Sequence, residues 1–121
     1  IIDNKRLIVV GATSALYLDE EHKTRFLDAM SPQYPIYQTA KNMTMMLDLL
    51  KESEVNYTYF SPASYFIPNA SPTNNYTITG DVYAENARGE NLITYEDYAQ
   101  VVVNFLQSGE YQKAHISIYN N

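Results

Sequence analysis

The chain is 121 residues long, 45% hydrophobic and 18% charged, with a formal net charge of −6. That length holds one domain with a modest core, and no apolar run approaches the roughly 20 residues of a membrane span. The acidic balance carries no basic stripe, which argues against nucleic acid and anionic membrane surfaces as partners. The absence of cysteine excludes disulfides and thiolate metal sites and fits a reducing, cytoplasmic setting.

Residues 1–4 are too few to assign, though they are compatible with the tail of a preceding helix. A strand is predicted at about 6–10, where residues 7–10 form a short apolar run that closes on Gly11 without polar alternation, as a strand reads when both its faces are covered in a parallel sheet. Such a strand delivers Ser14 to the carboxyl edge of the sheet, where open α/β sheets place their ligands. Residues 11–34 lack clean periodicity and read as a long functional surface loop, with a short helical turn near 21–29 and a solvated acidic patch at Asp19, Glu20 and Glu21.

A helix is predicted over about 35–53. Ala40, Met43, Leu47 and Leu50 recur at spacings of three and four, with Met46 and Leu49 widening the stripe. Pro35 suits its first turn, where a missing N–H costs nothing. Residues 56–60 read as a second strand, rich in aromatic and β-branched types, ended by Ser61 and Pro62. Strand, long helix and strand make a crossover unit, expected to be parallel and right-handed.

Residues 63–91 are turn-rich, with short β segments expected near 76–79 and 82–85. Thr94 to Asp97 resembles a capping box that opens a second helix. Tyr98, Val101, Val102, Phe105 and Leu106 give its apolar face, and Gly109 falls just past its end. Residues 115–119 read as the last strand. Four Asn-x-Ser/Thr sequons, at Asn42, Asn56, Asn69 and Asn75, fall partly in predicted helix and strand and read as accidents of composition.

Tyr37 and Lys41 stand four apart at the start of the first helix, so they share a helix face. A serine at a strand end opposite a Tyr-x-x-x-Lys helix is a hydride-transfer constellation. Reduction of a carbonyl needs a proton donor at its oxygen, and a tyrosine, with an ordinary pKa of about 10, serves poorly until a nearby ammonium stabilises its anion. With twelve tyrosines in the chain the spacing alone is common. The plainer reading is that Tyr37 packs against the loop, Lys41 is solvated and Ser14 ends a strand.

The segment 10–17 fails as a dinucleotide-binding first turn, because Ser14 and Tyr17 stand where further glycines are needed. His22 and His115 have no companions at metal-ligand spacing and read as ordinary surface or strand residues, so no metal site is expected. The methionines 43, 45 and 46 read as helix packing.

Arg6-Leu-Ile-Val-Val-Gly-Ala-Thr-Ser-Ala-Leu16, Tyr57-Thr-Tyr-Phe-Ser-Pro-Ala63 and Ile93-Thr-Tyr-Glu-Asp-Tyr-Ala99 occur here in that order. In this the chain resembles the atypical short-chain dehydrogenase/reductases, and among them the NAD(P)H-binding proteins often called NADH-flavin reductases. The resemblance implies an α/β fold, the second half of a Rossmann-type doubly wound parallel sheet, so that 1–121 is a single partial domain whose glycine-rich first half precedes Ile1. It also implies that Ser14, Tyr37 and Lys41 hold catalytic positions. Gly11 and Ala12, with Ser61, Pro62 and Ala63 beside the nicotinamide, would meet the cofactor, NAD or NADP.

The opening at Ile1 rather than Met, almost directly into a buried-type strand, also suggests a piece of something longer. An apolar strand left at an edge invites pairing, so either the missing amino-terminal half or another copy of the chain is expected to cover it. Two functions follow as expectations. One is part of an NAD(P)H-dependent reductase that passes hydride to a small-molecule flavin, quinone or carbonyl substrate. The other is a non-catalytic Rossmann-like remnant acting as a sensor or interaction module.

Overall fold

The computed structural model describes residues 6–108 and 113–121; the expectations for 1–4 and Gly109 lie outside the described residues. The apolar run forms β1 (Arg6–Val10), which pairs in parallel with β2 (Asn56–Ser61) from Arg6 opposite Asn56 to Val10 opposite Phe60. Between them runs α1 (Tyr37–Glu52), so the predicted crossover unit is present. The chain next lays down two short strands, β3 (Tyr65–Ile67) and β4 (Tyr76–Thr79), then β5 (Leu92–Thr94), α2 (Tyr95–Ser108) and β6 (Ala114–Asn120). The main sheet has the order β1-β2-β6-β4, with β6 parallel to β2 and β4 antiparallel to β6. The chain thus passes beyond β6's position to place β4, and returns through α2 to fill the gap.

Successive residues of a strand face opposite sides of a sheet, and β2 uses this to build two cores. Phe60 joins Ile93, Val101, Phe105, Ile116 and Ile118 under α2. Tyr57 and Tyr59 join Val9, Ala15 and Leu47 under α1. One helix therefore covers each face of a parallel-dominated sheet, the layered arrangement of a Rossmann-type α/β fold.

Several local expectations need correction. Residues 82–85 form no strand: Val82 makes an isolated bridge to Tyr17, through Tyr17 N–H to Asp81 O at 2.8 Å and Tyr83 N–H to Tyr17 O at 2.7 Å. The β segments missing from the sequence reading are β3 and β5, which pair in parallel as a separate two-stranded sheet. Met46 and Leu49 do not widen the buried stripe of α1. Leu49 is 69% exposed and Met45 and Met46 also face solvent, while Thr44 is buried in their stead. On α2, Leu106 is likewise exposed. Pro35 precedes the helix, whose N-cap is Ile36.

The capping box at α2 is half formed. Thr94 Oγ1 accepts from the Asp97 N–H at 3.0 Å, but the Thr94 N–H is taken by the Asn120 side chain. The buried Asp97 carboxylate turns instead to Thr73, Asn74 and Asn120, and so ties the 73–75 loop to the end of β6. Burial alone would raise its pKa, yet these hydrogen bonds outweigh burial and hold it at about 2.

The strand read as interior stands at the sheet's edge. Leu7 and Val10 are 44% and 56% exposed, and β1 pairs only with β2 among the described residues.

Candidate functional site

The carboxyl ends of β1 and β2 lie side by side, and the turn that leaves β1 is fixed by its neighbours. Gly11 is required there: a Cβ on it would sit 2.1 Å from a Tyr59 ring carbon. The Tyr59 hydroxyl accepts from Ala12 N–H at 3.1 Å and donates to Met43 O of α1 at 3.0 Å. Thr13 donates to Pro62 O at 2.9 Å, which binds the turn to the segment after β2. A short 3-10 turn, Thr13–Ala15, then presents Ser14 to α1. Its hydroxyl lies 3.1 Å from Ala40 O and 2.8 Å from Thr44 Oγ1.

Ser61 extends this set of bonds inward. Its Oγ lies 2.7 Å from Ala12 O and 2.7 Å from His115 Nε2. A carbonyl can only accept, so the single Ser61 proton goes to Ala12 O, and His115 must carry its own proton on Nε2. His115 Nδ1 is then a bare acceptor, buried and with no partner among the described residues. Burial pushes the imidazole pKa down to about 4, which keeps it neutral near pH 7. His115 is a strand residue, as read, but one wired into the turn.

A cavity of about 330 Å³ opens beside this turn. Ala12, Thr13 and Ser14 form one wall, and Phe26, Met30, Tyr34 and Ile36 from the long loop form the other, with Ala40 and Ser64 completing it. A second hollow of about 500 Å³ shares Ser64 and runs along β3 and the segment 90–92. Among the described residues, no group of three or more acidic, histidine or cysteine side chains is placed to hold a metal.

The residues singled out in the sequence are distributed unevenly around the cavity. Ser14 and Ala12 line it. Gly11, Ser61, Pro62 and Ala63 are buried behind it, Ala63 within the core under α2. Tyr37 is half-buried and Lys41 exposed; each follows by one position a residue that lines the cavity, Ile36 and Ala40. Phe26, Met30, Tyr34 and Ile36 were not picked out, because the loop that carries them has no periodicity to read.

The fold is of the Rossmann type, and comparison with known proteins agrees. No protein-family model matches the chain. The uncharacterized protein YwnB of Bacillus subtilis (strain 168) is 34% identical over 116 residues, 93% of this chain and 54% of that protein. The crystal structure of a candidate NADH-flavin reductase from Streptococcus pneumoniae TIGR4 is 36% identical, with a TM-score of 0.90 over 99% of this chain and 58% of its own. A candidate epimerase from Bacteroides thetaiotaomicron shares the fold at 22% identity, with a TM-score of 0.83 over 96% of this chain and 53% of its own. The chain therefore spans a little over half the length of these relatives. No helix among the described residues is long and apolar enough to cross a membrane.

Proposed function

We propose that the chain is the carboxyl-terminal part of an NAD(P)H-dependent reductase and supplies the acceptor side of its cleft. The observation that carries this reading is the cavity at the carboxyl edge of β1 and β2, walled by Ala12, Thr13 and Ser14, where open α/β sheets bind their ligands. Likeness to the streptococcal NADH-flavin reductase candidate supports the same class. The exposed flank of β1, with Leu7 and Val10 open to solvent, supports a further strand pairing there from a preceding segment or from another copy of the chain.

Of the residues expected to meet the cofactor, Ala12 lines the cavity, while Gly11, Ser61, Pro62 and Ala63 are buried; the uncharged wall suits the nicotinamide end of NAD or NADP rather than its phosphates. Gly11 is a glycine because Tyr59 fills the space beside it, so its bareness serves packing rather than close approach to a pyrophosphate. None of the cavity's lining residues carries a charge, and the phosphate grip would come from the preceding half. When bound, the reduced nicotinamide supplies a hydride. In this reading Ser14 shapes the wall at the reacting oxygen, Tyr37 delivers the proton, and Lys41 one turn on stabilises the phenolate left behind.

The test is binding of NADH and NADPH to the chain extended through the reading frame upstream of Ile1, beside the 121-residue chain alone. The extended protein is expected to bind one of them, and failure to bind either overturns the reductase reading. In a binding-competent protein Tyr37→Phe should cut turnover by about 100-fold or more; full turnover would remove Tyr37 from its role and nothing else.

A second reading, an inert interaction module, is favoured by one observation. The hydroxyls of Thr13, Ser14, Ser61 and Ser64 all donate to groups within the chain. Dinucleotide binding without any turnover would select that reading.

A further inference from the structure

Both walls of the cavity are tied to one row of α1. Ala40, Thr44 and Asp48 stand four residues apart and so share a helix face. Ala40 O and Thr44 Oγ1 bond to Ser14, and with it to the wall formed by Ala12, Thr13 and Ser14. One turn further along, Asp48 bonds to Arg25, the residue directly before Phe26, where the opposite wall begins.

The Arg25 contact fixes a geometry. Nη1 donates to Asp48 Oδ2 at 2.9 Å and Nη2 to Oδ1 at 2.8 Å, a paired fork that a guanidinium makes with a carboxylate and an ammonium does not. The guanidinium carbon lies 5.0 Å from the centre of the Tyr17 ring, within cation–π range. The arginine side chain is 15% exposed and that of Asp48 50%. Arg25 Nε is buried with no partner among the described residues, a penalty that the two bonds to Asp48 must offset. The guanidinium in turn holds the Asp48 carboxyl below the usual carboxylate range. A partly exposed ion pair adds little stability, so what this one supplies is position.

The backbone passes that position on. Arg25 and Tyr17 form an antiparallel bridge, and Phe26 N–H bonds to Leu16 O at 2.8 Å. Arg25 N–H bonds to Asp28 Oδ2 at 2.9 Å at the start of the 3-10 turn Phe26–Ala29. The aperiodic loop is thereby referred to α1 at the residue next to the cavity.

We propose that Arg25 is a positioning residue of the cleft: its fork on Asp48 ties the Phe26–Ile36 wall to the same helix row that holds Ser14, and so sets the width of the cavity. The proposal rests on reading this cavity as the acceptor's side of a reductase, and it makes α1 the common support of both walls.

The chain has four methionines, and their methyl groups report on the walls by NMR. Met30 lines the cavity, Met43 is half-buried on α1, and Met45 is 52% exposed. In the 121-residue chain, Arg25→Lys and Asp48→Asn should each move the Met30 methyl signal toward that of Met45. Met43 and the circular dichroism spectrum should not change. The double variant should move Met30 no further than the larger single change, because the two residues act as one unit. In the extended protein, with flavin mononucleotide as the probe acceptor, Arg25→Lys should raise KM for the flavin by about fivefold or more. Because the wall meets the acceptor before and during reaction alike, kcat should stay within about twofold. Dinucleotide affinity, gripped by the preceding half in this reading, should also hold.

A Met30 methyl that neither single variant moves overturns the proposal, as does a double variant whose shift is the sum of the two. So does an unchanged flavin KM in an extended protein that turns over; the reductase reading then stands without this positioning role. If the extended protein ignores NAD(P)H or reduces nothing, the reductase reading is lost, and the Met30 methyl alone decides whether the pair sets the wall.

Discussion

The two faces of the main sheet are built from alternate residues of the same strands, yet they hold together differently. Under α2 the contact is almost wholly apolar: Phe60, Ile93, Val101, Phe105, Ile116 and Ile118 pack together, with the Phe60 and Phe105 rings 5.1 Å apart. Under α1 the apolar set is smaller and is completed by Ser14, Thr44, Ser61 and His115 through hydrogen bonds. The first face holds by area and close packing, which tolerates no gap but dictates no particular backbone position. The second pins individual backbone atoms of the turn after β1, and the candidate cavity lies on that side. Stability and site are thus separable, and substitutions on each face should behave differently.

The largest effect is expected under α2. Phe60 is fully buried, and Phe60→Ala should cost about 3–5 kcal/mol through lost transfer energy and the cavity left behind. That is a large share of the roughly 5–15 kcal/mol of a typical domain. Urea unfolding would measure it, and a loss under about 1 kcal/mol would mean that this face is not the main source of stability.

Acid should find the α1 face first. His115 is held neutral in the fold with its pKa near 4, below the 6.5 of a free imidazole. The unfolded chain therefore binds more protons between these values, and stability falls as pH drops from about 6.5 to 4, by up to about 3 kcal/mol. Asp97 acts lower. Its folded pKa of about 2 lies below the ordinary aspartate value of 3.8, so its contribution, about 2 kcal/mol, is complete above pH 4 and lost as pH falls toward 2. His115→Gln should flatten the upper window and leave the lower one; Asp97→Asn should do the reverse. Stability measured against pH for the three proteins would check both, and an upper window that persists without His115 would assign it to another group.

How much of this could be read from the sequence depends on the range of the forces involved. β1, α1, β2, α2 and β6 are legible because each carries its pattern within a few residues: an apolar run closing on Gly11, or an apolar stripe at helical spacing. β3 and β5 are three residues each and pair across 27 positions, Tyr65 with Leu92 to Ile67 with Thr94, so no local window contains the signal. Met46 and Leu49 misled because periodicity ranks apolar types and cannot see Ser14 approaching from another segment to bury Thr44. At the site, the strand-end rule pointed to Ser14 and the family resemblance to Ala12, and both line the cavity. The opposite wall, Phe26 to Ile36, could not be located, since a loop's position follows from what it packs against rather than from its own sequence. His115 looked ordinary for the same reason: its partner Ser61 lies 54 residues away.

The smallest effects give the sharpest test, because they compare one buried tyrosine hydroxyl on each face. Tyr98, packed under α2, donates to Phe60 O at 2.7 Å, and that carbonyl also accepts from the Gly11 N–H at 2.8 Å. Removing the Tyr98 hydroxyl leaves the carbonyl with its other donor, so Tyr98→Phe should cost about 0.5–1.5 kcal/mol, the net worth of one hydrogen bond. Tyr59, under α1, serves Ala12 N–H and Met43 O together. Its loss strands the half-buried amide of the turn, and an unsatisfied donor costs up to about 1–3 kcal/mol where water cannot replace the partner. Tyr59→Phe should therefore be the more destabilising of the two, and it alone should speed hydrogen exchange at the Ala12 amide. If Tyr98→Phe proved equal or worse, or if the Ala12 amide stayed protected without the Tyr59 hydroxyl, the turn beside the cavity would be held by something other than these hydrogen bonds, and the contrast between the two faces would fail where it matters for function.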